Sequence, residues 1–107
     1  VEVRLQIDGQ CVFGFGLSQI LEAVATSGSI KAAAQSLGKS YRHIWGRIKE
    51  AEDVWGEQLV HTRVGGQGTN RSSLTARASQ LLADYSALRH RVVKVVKKEF
   101  PTPFEVF

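Results

Sequence analysis

From its first residue the chain alternates. Val1, Val3, Leu5 and Ile7 interleave with Glu2, Arg4, Gln6 and Asp8, the period of a strand with one face in a core. Asp8-Gly9 suits a tight turn, and QCVF at 10–13 supplies a returning strand. From Leu17 the apolar spacing lengthens to three and four. Leu17, Ile20, Leu21, Val24 and Ala25 share one face of a helix predicted from Leu17 to about Thr26. Ser29 is placed to cap a second, short helix with Ile30, Ala33, Ala34 and Leu37 turned inward, and Gly38 provides its left-handed stop. Ser40 caps a third, predicted to run to about Asp53. Tyr41, Ile44, Ile48, Ala51 and Trp55 form its apolar face, leaving Arg42, His43, Gly46, Arg47, Lys49 and Glu50 outside.

Beyond the third helix, QLVHTR at 58–63, the glycine-rich VGGQGTNR and SSL at 72–74 predict strand, loop and strand. Thr75 opens a long helix, free of glycine and proline until Pro101. At 1.5 Å per residue it spans about 37 Å, more than so small a domain can cover. Leu81, Tyr85, Leu88, Val92 and Val95 recur at intervals of 4, 3, 4 and 3, a coiled-coil-like seam for a second subunit. The alternative is that its first half folds back over the protomer's own core. PTPFEVF at 101–107 reads as a linker or tail following a single domain at 1–100.

A chain of 107 residues, 43% of them hydrophobic, can bury one modest core. It has no transmembrane-length apolar run and no signal-peptide pattern at its start, so a cytoplasmic protein is expected. The single Cys11 has no partner for a disulfide or a zinc site and is expected to be a buried small hydrophobe. The net charge of +4 is unevenly spread: residues 1–38 sum to −1, residues 39–77 to +3 and residues 78–107 to +2. Positive charge begins just after Gly38, and a basic surface of this kind suits a polyanion.

The predicted fold is mainly α with a small β component: a winged helix-turn-helix with an N-terminal β-hairpin, a two-stranded wing and a long C-terminal dimerisation helix. In a helix-turn-helix the second helix enters the DNA major groove by its first turns. Ser40, Tyr41, Arg42 and Trp45 are then at the depth of base edges, while Lys39, Arg47 and Lys49 meet phosphates. In the wing, Gly65, Gly66 and Gly68 allow close backbone approach, and Arg63 or Arg71 supplies charge. A nucleotide-binding loop is the rival, but no GK[ST] follows and the spacing breaks GxGxxG. An enzyme is disfavoured: His43, His61 and His90 are scattered, and Glu50, Glu52 and Asp53 have no paired histidine, reading instead as solvated charges or ion-pair partners. A winged helix serving protein interaction would have no need of Lys39, Arg42, Arg47 and Arg71 on one side.

SGSIKAAAQSLGKSYRHIWGRIKEAEDVWGEQLVHTRVGGQGTNRSSLTARASQLL resembles the N-terminal domain of the ModE-type molybdate-responsive transcriptional regulators, itself similar to the DNA-binding domain of LysR-type regulators. The resemblance covers about residues 3–95. It is most specific in GSI with the following alanines, LGKSY with Trp45 one turn on, and the GGQG wing ending in LT. It implies a homodimer on palindromic promoter DNA, with DNA contacts at Ser40, Tyr41, Arg42, Trp45 and the wing around Gly65 to Gly68. It also implies that molybdate or tungstate is sensed only in a separate C-terminal domain, so no cofactor is expected in this chain. A LysR-type regulator with another effector is the alternative.

Overall fold

The computed structural model describes residues 2–64 and 70–103. Its elements run β1 (Arg4–Ile7), β2 (Gln10–Gly14), α1 (Phe15–Ser27), α2 (Ile30–Leu37), α3 (Tyr41–Trp55), β3 (Val60–Val64), β4 (Asn70–Leu74) and α4 (Ala76–Glu99). The strands pair antiparallel as two separate hairpins, β1 with β2 and β3 with β4.

The first hairpin turns at Asp8 (φ 51°) and Gly9 (φ 80°), a left-handed pair whose twist matches that of the flanking strands. Leu5 pairs with Phe13 and Gln6 with Cys11, so Val12 is an extra, bulged residue. The bulge lets neighbours Val12 and Phe13 both be buried, and the Val12 carbonyl accepts a hydrogen bond from Trp55 Nε1 at 2.8 Å. Two expectations fail here. Strand β1 is exposed along its whole length, with Ile7 at 58%, and Cys11 is exposed rather than buried. The two-stranded ribbon joins the core at its root, through Val3, Val12 and Phe13, while Leu5 and Ile7 toward its turn are exposed.

Helix α1 begins two residues earlier than its periodicity predicts, at Phe15. The caps of the next two helices form as the sequence suggests: Ser29 Oγ accepts from Ala32 N at 2.9 Å and Ser40 Oγ from His43 N at 3.0 Å. Between them Gly38 sits at φ 65°, where a Cβ would be strained, and its N–H closes onto the Ala34 and Gln35 carbonyls. The buried Ala33 and Ala34 let α2 lie close against its neighbours. At the centre of the core are Phe13, Leu21, Val24, Ile44, Ile48 and Leu59, each burial stabilising by about 1.5–3 kcal/mol.

The seam predicted on α4 is divided. Tyr85 is 2% exposed; its hydroxyl donates to the Val3 carbonyl at 2.7 Å and its ring lies 5.0 Å from that of Phe13. Leu81, half-buried, packs against the same core, so Leu81 and Tyr85 are engaged by the protomer, while farther along the seam Leu88 and Val95 are exposed and Val92 is half-buried. The hairpin root decides this, because it offers Tyr85 both an acceptor and an aromatic neighbour. Burial pushes the Tyr85 phenol above its ordinary pKa, with Arg89 pulling the other way. Leu88 and Val95 are 37% and 59% exposed on the distal half of a helix about 36 Å long, in a molecule 54 Å in its longest dimension.

Candidate nucleic-acid interface

The turn at Gly38 delivers α3 so that Lys39, Ser40, Tyr41, Arg42 and His43 are all exposed. Tyr41 was expected to face inward, yet it is 50% exposed; the buried row of α3 starts a turn later, at Ile44. Tyr41, Trp45 and Lys49, four residues apart, therefore make one exposed ridge, with Lys49 Nζ 5.5 Å from the Trp45 ring centroid. No acidic residue occupies the first turn of α3. Lys39 and Arg42 gather where the helix dipole is already positive, an unfavourable grouping for the protomer alone and a favourable one toward phosphate.

Arg47, grouped by sequence with Lys49, lies elsewhere on the helix. It lines an open cavity of about 730 Å³ with Phe15, Glu50, Val54 and Arg89, on the flank facing the first hairpin. Two residues of helix turn through about 200°, which separates Arg47 from Lys49. The Arg89 guanidinium stacks over the Phe15 ring at 4.5 Å.

In the second hairpin Arg63 is the direct cross-strand partner of Arg71. Like charges in that relation repel unless an anion lies between or beside them. Gly65, Gly66 and Gly68 lie outside the described residues. The wing's base is tied firmly to the body: Ser72 N donates to Gly28 O at 2.8 Å, Thr75 N to Leu59 O at 3.0 Å, and Thr75 Oγ1 to Gln58 O at 2.9 Å. The same Thr75 oxygen caps α4 by accepting from Ala78 N.

Glu52 is the residue that pattern reading missed. Taken from sequence as one of three solvated or ion-paired acids, its side chain is only 11% exposed, and it accepts from the backbone amides of Leu59 and Val60 as well as from Lys49. The available signal was its position, in the last helical turn before a glycine stop and a strand.

This arrangement matches known proteins. The family model for bacterial regulatory helix-turn-helix proteins of the lysR family matches residues 16–79, from α1 through the wing into the start of α4. The chain is 32% identical over 80 residues to the molybdenum transport protein ModE of Herbaspirillum seropedicae, covering 75% of this chain and 30% of that protein. It is 28% identical over 100 residues to the molybdenum-pterin-binding protein MopB of Rhodobacter capsulatus, covering 83% of this chain and 37% of the relative. To the DNA-binding transcriptional dual regulator ModE of Escherichia coli strain K12 it is 33% identical over 69 residues, 64% of this chain and 26% of the relative. The chain thus spans about a third of the length of these relatives. Among solved structures, ArgP from Mycobacterium tuberculosis superposes with a TM-score of 0.54 at 25% identity, covering 75% of this chain and 29% of that one. With turn, recognition helix and wing all inside the matched span, the chain belongs to the lysR family of bacterial regulatory helix-turn-helix proteins, as a DNA-binding domain.

Proposed function

We propose that this chain binds palindromic promoter DNA as a homodimer, as part of a cytoplasmic bacterial regulator of molybdate or tungstate uptake or use. The observation that carries the DNA surface is cationic charge held against its own electrostatics on two elements: Lys39 and Arg42 at the N-terminus of α3, and Arg63 opposite Arg71 in the wing. Ser40, Tyr41, Arg42 and Trp45 meet base edges, Lys39, Lys49, Arg63 and Arg71 meet phosphates, and Gly65, Gly66 and Gly68 add backbone contacts to the duplex. Leu88, Val92 and Val95 form the dimer contact, leaving Leu81 and Tyr85 to the protomer's core. The molybdenum-related names of the relatives support the oxyanion effector. Its sensing belongs to the part of those proteins that this chain does not span. Among the described residues no helix is long and apolar enough to cross a membrane.

The test is duplex-DNA affinity against salt. A dimer placing about four cations per protomer on phosphate releases several counterions, and the log-log slope is expected at roughly −5 to −8. A slope near zero refutes the DNA surface.

A further inference from the structure

Helix α3 and the wing are joined by one carboxylate. Glu52 Oε2 accepts from Leu59 N at 2.8 Å and Val60 N at 3.2 Å, while Oε1 accepts from Lys49 Nζ at 3.2 Å. Its backbone carbonyl takes the Gly56 and Glu57 amides that end the helix. One residue thus stops α3, starts β3 and holds the cation that sits over Trp45. Lysine has four rotatable bonds, and a half-exposed one would otherwise sample many rotamers.

We propose that Glu52 is a positioning residue for sequence discrimination: it sets the relation between the recognition helix and the wing and presents Lys49 with Trp45 as one unit. The proposal rests on the DNA surface argued above. Its logic is that a carboxylate near a polyanion opposes association with any duplex, so its contribution has to lie in geometry, which random DNA does not read. Removing the charge is then expected to move specific and non-specific binding in different directions. A role confined to stability would move neither once the fold is kept, and simple repulsion would move both alike.

The experiment uses the 107-residue chain, a duplex selected by it from a random-sequence pool, and a scrambled duplex of the same composition. Glu52→Gln keeps an oxygen for the Leu59 and Val60 amides and removes the charge that holds Lys49. It is expected to lower the selected-to-scrambled affinity ratio about three- to tenfold, the scale of one coupled contact, without weakening scrambled binding. Lys49→Met is expected to weaken both duplexes alike through its lost phosphate contact and, beyond that, to lower the ratio to a similar extent by releasing Trp45, and the double variant to lower the ratio no further. Lys49→Met also keeps the test decisive should Glu52→Gln fold poorly, since Lys49 is half exposed. An unchanged ratio, equal strengthening on both duplexes, or additive losses in the double variant overturn the proposal while leaving DNA binding intact. A wild-type chain with no salt-dependent affinity for either duplex instead refutes the DNA surface itself.

Discussion

Tyr85 shows whether α4 belongs first to its own protomer. Its ring is buried against Phe13 and its hydroxyl donates to the Val3 carbonyl at 2.7 Å, 82 residues away in sequence. Tyr85→Phe keeps the ring and deletes one such hydrogen bond, with an expected loss of about 1–2 kcal/mol. Tyr85→Ala removes the ring as well and is expected to cost about 3–5 kcal/mol. At about 4–8 °C per kcal/mol for a domain near this size, the Phe variant should melt about 4–16 °C below wild type. Circular dichroism across a hundredfold range of protein concentration is the assay, with Leu88→Ala, on the outward side of α4, as the comparison. Both Tyr85 losses should be independent of concentration. A Tyr85→Phe chain as stable as wild type, or a loss that vanishes as the protein is diluted, refutes the intramolecular assignment. Alkaline pH gives a second readout. Burial raises the folded phenol above its ordinary pKa of 10.0, so the unfolded chain loses this proton first. The stabilisation is complete below pH 10 and declines as pH rises toward the folded value. Tyr85→Phe should lack that component of the alkaline decline.

Arg42→Ala is expected to cost about 1–3 kcal/mol on a selected duplex and little on a scrambled one, because a side chain at the entrance of the recognition helix can pair bidentately with guanine; equal weakening in a binding titration would make it a phosphate contact. Leu88→Lys with Val92→Lys should yield monomers by sedimentation, since like charges would be buried against their copies, and a dimer that survives places the interface elsewhere. Isothermal titration of this chain with molybdate or tungstate should show no binding. Micromolar affinity, or a tenfold change in DNA affinity on adding either anion, contradicts the placement of sensing outside this chain.

What the linear pattern determined were features fixed by neighbours a few residues apart. Ser29, Ser40 and Thr75 cap helices and Gly38 takes a left-handed turn because the partners lie within one helical turn. The three-and-four spacing placed Ile44, Ile48 and Ala51 inward, and the run of cations after Gly38 marked the surface that the fold exposes. What only tertiary structure decided were contacts made across the chain. Alternation suggested that β1 is half buried, but the ribbon joins the core at its root, and Leu5, Ile7 and Cys11 are exposed. A heptad-like row on α4 could not say which of its members meet the protomer and which face away; the root of a hairpin more than 70 residues upstream took Tyr85. Arg47 and Lys49 are two residues apart in sequence and on different flanks of one helix. Glu52 looked like one acid among three until the chain that follows α3 brought the Leu59 and Val60 amides to it. Local hydrogen-bonding chemistry is written in short spacings, whereas burial depends on which surface another element covers.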